Sequence, residues 1–82
     1  MILSETWQEV YIESMAAGDV MAQAAEGSNV LWQYGGDTPP INTTNSFTLK
    51  HGMVEYWSAP TTTTSIWVRA VNGSADFRFQ AI

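Results

Sequence analysis

The sequence predicts an all-β fold, a small antiparallel β-sandwich or barrel of about seven strands. Three observations predict it. Short runs of alternating apolar and polar residues recur at intervals of roughly ten residues, the spacing of sandwiches and barrels. The breaks between them, such as AAGD, EGS, GGDTPPINTTN and APTTTT, consist of residues that end strands and make turns. Asn72-Gly73 is the strongest two-residue hairpin signal, because a type I′ turn needs positive φ at both central positions.

The elements follow in order. In the first run, Thr6–Ile12, Gln8, Val10 and Ile12 share one face and Trp7 and Tyr11 the other. The second is Val20–Ala25. Its surroundings, Ser14–Ala25, are the most helical part of the chain, since Ala and Met favour helix. Gly18-Asp19 lies in the middle of that stretch and costs about 1 kcal/mol in a helix, so a strand is preferred. In Asn29–Tyr34, Val30, Trp32 and Tyr34 share a face, which assigns the two rings to packing rather than to a ligand. GGDTPP stops that strand, since Pro39 and Pro40 lack the N–H donors a central strand needs. A long loop, Gly35–Asn45, follows.

Ser46–Lys50 and Met53–Ser58 are expected to form a hairpin across KHG. Val54 and Tyr56 take one face of the second strand, and Met53, Glu55 and Trp57 the other. Ala59–Thr64 is the second long loop. Its PTTTT reads as a plain connection or as an extended segment pairing with a neighbouring chain. Long loops are where partner contact tends to sit. The last two runs, Ser65–Val71 and Ala75–Ala81, are expected to form a hairpin about Asn72-Gly73. That register opposes Ala70 to Ala75, Arg69 to Asp76, Val68 to Phe77 and Trp67 to Arg78. One face then collects Ile66, Val68, Ala70, Ala75, Phe77 and Phe79, and the other Trp67, Arg69, Asp76 and Arg78.

Eighty-two residues make one domain, residues 1–82, whose core is marginal at this size. Disulfides cannot support it, for there is no Cys. The lone His51, in a turn between Lys50 and Gly52, cannot anchor a His-rich metal site. A partner surface is the remaining support. The net charge of -5 repels phosphate backbones and anionic lipid, which argues against nucleic-acid and membrane partners. The composition is 45% hydrophobic and only 13% charged, with 4 Trp, 3 Tyr and 3 Phe, which suits a surface held against neighbours. The start, MILSETWQEV, lacks the basic and apolar regions of a signal peptide, so synthesis in the cytoplasm is expected.

No catalytic constellation emerges. The carboxylates are scattered at turns and outward positions, without the facing pair a glycosidase needs. No nucleophile elbow surrounds a Ser, and GGD is followed by no phosphate-loop Lys. No cofactor is expected. Sugar-binding modules stack pyranose rings on exposed Trp and Tyr, and Trp32, Gln33, Tyr34 and Asp37 could serve in that way, but packing is the preferred reading. Trp67, beside Arg69 and Arg78, is the better exposed ring, or else is covered by a stacked Arg.

The order of features resembles the small all-β accessory proteins of tailed-bacteriophage virions. The residues that carry the resemblance are the Trp-bearing first strand, GDVMAQAAEGSNVLWQYGGDTPP, FTLKHGMVEYW with its Leu49-Lys50-His51-Gly52 turn, and the closing IWVRAVNGSADFRF. The resemblance spans nearly the whole chain. It implies a non-enzymatic virion structural protein, either a capsid decoration or cement protein or a tail-associated subunit. Its partners would be further copies of itself, as a trimer, and other virion proteins. The contact residues expected are Trp7, Tyr11, Trp57 and Trp67, with Gly35, Asp37, Pro39 and Pro40 in the loop. The alternative is a small carbohydrate-binding module or a tail or fibre receptor-binding subunit.

Overall fold

The computed structural model describes residues 1–10, 19–36, 38–58 and 65–81. Eight strands are described: β1 (Ile2–Leu3), β2 (Gln8–Val10), β3 (Asp19–Ala24), β4 (Val30–Gly35), β5 (Phe47–Leu49), β6 (Val54–Ser58), β7 (Ser65–Ala70) and β8 (Ala75–Ala81). They form two four-stranded antiparallel sheets, ordered β1-β8-β3-β6 and β2-β7-β4-β5. The all-β sandwich expected from the sequence is therefore the fold. Each of the seven expected runs contains a strand. The eighth strand, β1, is two residues long, too short to display an alternation.

The pairing is nested. β1 pairs β8, β2 pairs β7, β3 pairs β6 and β4 pairs β5. Further ladders join β3 to β8 and β4 to β7. The chain thus behaves as one long hairpin, with its tip between β4 and β5, rolled up so that successive pairs alternate between sheets. This is the eight-stranded jelly-roll arrangement.

The core is what the alternation selects. Leu3, Ala22, Ala24, Trp57, Ala75 and Phe77 of the first sheet meet Val10, Val30, Trp32, Leu49, Ile66, Val68 and Ala70 of the second. Phe79 packs against this cluster, half-buried. The alanines of β3 leave room for the two large indoles between the sheets.

Both expected hairpins are corrected by this topology. β7 lies in the second sheet and β8 in the first, so Asn72-Gly73 is a crossing between sheets. KHG likewise carries the chain from β5 in the second sheet to β6 in the first. The face assignments survive, because Ile66, Val68, Ala70, Ala75 and Phe77 are all buried. These residues meet across the core instead of side by side in a ladder. Arg69 and Asp76 consequently sit on opposite outer surfaces. Arg69 pairs with Glu5 at 3.5 Å, and Asp76 with Arg78 at 3.8 Å.

Four short crossings gather at one end of the sandwich: those following β1, β3, β5 and β7. Three contain a glycine in the left-handed region, Gly27 (φ 82°), Gly52 (φ 78°) and Gly73 (φ 70°), a conformation that side chains with a Cβ resist. The crossings bond to each other and to strand ends. Gly52 N donates to Ala24 O at 3.0 Å, Val71 N to Asn29 O at 3.1 Å, and Ala70 N to Ser4 O at 2.7 Å. Ala25 N donates to Asp76 O at 2.9 Å. Side chains add Asp76 N to Ser28 Oγ at 2.9 Å, His51 N to Asn29 Oδ1 at 3.2 Å and Gly73 N to Glu5 Oε2 at 2.9 Å. Of the longer connections only the β4–β5 one is described, at residues 36 and 38–46, and it leaves from the opposite ends of its strands.

Candidate docking surface

An aromatic chain runs from one rim of the sandwich into its core. Trp32 on β4 meets Tyr34 edge-on at 5.6 Å, Phe47 at 5.0 Å and, across the sheets, Trp57 at 5.0 Å. Trp57 stacks on Phe77 at 5.9 Å, and Phe77 meets Phe79 at 5.6 Å. Such contacts favour a fixed packing beyond the area they bury. The Nε1 atoms of Trp32 and Trp57 are buried with no acceptor among the described residues, which offsets part of that gain.

The expected contact residues separate into three groups. Trp57 is 2% exposed and Trp67 7% exposed, so neither ring is offered to a partner. For Trp57 the reason is its place on the inner face of β6. Trp67 is on the outer side of β7, yet the start of the β4–β5 connection covers it. Its Nε1 donates to Gly36 O at 2.9 Å, and a Cβ placed on Gly35 would lie 2.9 Å from its Cδ1. Gly35 is thus where backbone must approach an indole. Trp7 is half-buried beneath Arg69, whose Cζ is 5.8 Å from the ring centroid. The Arg–indole stack expected at Trp67 is made at Trp7. Pro39 is exposed and Pro40 half-buried, in the β4–β5 connection. Tyr11 and Asp37 lie outside the described residues, as do Ile12 and Ala59–Thr64.

Within the β4–β5 connection, Ser46 N donates to Thr43 O at 3.1 Å and Thr44 N to Asn42 Oδ1 at 3.0 Å. Ser46 Oγ donates to Gln33 Oε1 at 2.8 Å and ties the end of the connection back to β4.

The exposed apolar surface takes in Ile41 of the expected loop and extends to strand residues the sequence did not single out for contact. Six of the large exposed hydrophobics belong to the β4–β5–β6 region: Tyr34, Ile41, Phe47, Met53, Val54 and Tyr56. Both sheets end there, one at β5 and the other at β6, on the same side of the sandwich, as the Trp32–Trp57 contact requires. Tyr56 is 66% exposed on the outer face of β6. Its register partner on β3 is Met21, beside a shallow groove of about 160 Å³ lined by Met21, Gln23, Val54, Arg78, Phe79 and Gln80. That volume is below what small-molecule pockets usually hold.

The sequence contains the signal for this surface. Val54 and Tyr56 alternate with Trp57, and the largest side chain of the strand faces inward. Glu55, on the same face as Trp57, pointed the other way. The structure places Glu55 half-buried at the rim. No group of three or more His, Cys, Asp or Glu among the described residues is placed to hold a metal ion.

Comparison of the chain with protein-family models, with curated proteins and with solved structures returns no match.

Proposed function

We propose that this chain is a non-enzymatic structural subunit of a virion, which docks against neighbouring subunits as a capsid decoration or cement protein does. The observation that carries the proposal is the exposed apolar surface of the β4–β5–β6 region, in a chain with 13% charged residues. A small domain gains stability by covering such a surface. The jelly roll adds an analogy of architecture, since viral capsid domains use it, but lectins use it too and fold alone does not assign function.

The test is where the chain resides in cells that make it. With an antiserum against the purified protein, the chain is expected in density-gradient fractions that hold intact particles and on their surface by immunoelectron microscopy. A chain found only in particle-free fractions would overturn the proposal.

One observation favours the alternative, a carbohydrate-binding or receptor-binding module. The exposed Tyr56 ring shares a face with Gln23, Arg78 and Gln80, a ring-plus-polar set that suits a sugar. Saturable binding on a glycan array, lost in Tyr56→Ala, would favour that reading.

A further inference from the structure

We propose that β6 pairs with the β6 of a second copy, antiparallel, across a two-fold axis at Tyr56, joining two four-stranded sheets into one of eight strands. The inference rests on the docking reading above and names its first partner.

The edges of the two sheets are unequal. β1, β2 and β5 are two, three and three residues long, whereas β6 has five. Among the described residues no strand pairs the outer edge of β6, and an edge of that length carries unpaired N–H and C=O groups and templates another strand unless it is blunted. β6 contains no Pro and no Lys, and its lone charge, Glu55, is on the inner face beside Trp57. Outward it presents Val54 and Tyr56, with Met53 just before the strand.

Three arguments select a second copy as the occupant. The first is charge. The chain carries -5 overall, yet the outward side of β6 carries none, so two copies meet there without like charges opposed, and the inner-face Glu55 residues are only diagonal to each other. A basic partner would find on β6 only Glu55, half-buried on the inner face. The second is symmetry. With the axis perpendicular to the sheet, directly opposed residues share a face, so the axis must pass at a residue facing its own copy. Centring on Glu55 opposes two carboxylates. Centring on Trp57 leaves Val54 unopposed by any strand residue. Centring on Tyr56 uses all five residues, opposing Val54 to Ser58, Glu55 to Trp57 and Tyr56 to itself. The third is area. At their observed exposures, Phe47, Met53, Val54 and Tyr56 offer on the order of 500 Å², the larger part of the ~800 Å² each partner of a standard interface contributes. The contact is isologous and closes as a pair, not as the three-fold ring expected from the sequence.

The full chain tests this directly, because it has no Cys to confuse cross-linking. Sedimentation equilibrium should give a monomer–dimer mass, and Tyr56→Lys should weaken association by at least about tenfold, through a charge placed on the pairing edge, with thermal unfolding of the monomer unchanged. Under mild oxidation Tyr56→Cys should form a covalent dimer, since opposed Cβ atoms lie about 4.5–5.5 Å apart. Val54→Cys, opposed to Ser58, should form little. A monomer at all concentrations, a trimer, a dimer indifferent to Tyr56→Lys, or equal cross-linking by both cysteine variants would overturn the pairing. A monomer that still travels with particles sinks the pairing and leaves the docking reading intact. A dimer that meets no particle does the reverse.

Discussion

The two ends of the sandwich are built on different principles. At one end, four crossings of a few residues each carry the chain between sheets. Their backbone groups bond to neighbouring crossings and strand ends, as in Gly52 N to Ala24 O and Val71 N to Asn29 O. At the other end one connection is described, and it is long. Among the described residues the β4–β5 connection is tied down through Trp67 to Gly36 and Ser46 to Gln33, while Ile41 stands 97% exposed. Where these crossings pack against strand ends, backbone groups are part-buried and need partners, as Asp76 N finds in Ser28 Oγ. The contrast separates an end closed by short, mutually bonded crossings from an end whose described connection leaves Ile41 exposed.

Gly73→Val should break the comparison most forcefully. A β-branched residue at φ 70° is a conformational outlier, and about 2 kcal/mol of stability should be lost. A Cβ there would meet nothing within 4 Å, so the loss would come mainly from the backbone. Urea denaturation measures it. A neutral result would mean that the crossing can change its conformation, and that the stitched end is less constrained than its bonds imply.

The same crossing shows what the sequence does and does not reveal. Asn72-Gly73 was legible as a turn needing positive φ, and the inward faces of β7 and β8 were legible from alternation. Their partners were not. Residues that face each other in a hairpin and residues that face each other across a core produce the same alternation, and a tight glycine turn serves both. Arg69 opposite Asp76 looked like confirmation, but two outward charges on adjacent strands can point to opposite sides of a sandwich. For the surface, alternation puts Trp57 and Glu55 on one face of β6 and Val54 and Tyr56 on the other, but does not say which face is inward. The rim allows a carboxylate to be half-buried beside an indole that is wholly inside. Trp67 was placed on the correct face, but its cover comes from residues more than thirty positions away in sequence.

Gly35→Ala sharpens the comparison from the other end. A Cβ there would lie 2.9 Å from Trp67 Cδ1, so the buried indole must shift. The expected cost is about 1.5 kcal/mol, with a change in the indole N–H resonance as the bond to Gly36 O is strained. An unchanged resonance would mean that the long-connection end has no anchor at this point. Ser28→Ala comes next at about 1 kcal/mol, since it removes the acceptor of the part-buried Asp76 N–H and tests one stitch singly.

Ile41→Ser should have the smallest effect, within about 0.5 kcal/mol in denaturation of the isolated chain. The side chain is 97% exposed and so has little packing to lose. Its apolar surface is therefore of no use to the monomer. If it has a use, that use is in contact with something else, and particle association should fall although stability does not. A stability change above about 1 kcal/mol would show that Ile41 covers packed surface after all. The β4–β5 connection would then hold the fold as the opposite end does, and the division of labour between the ends would fail.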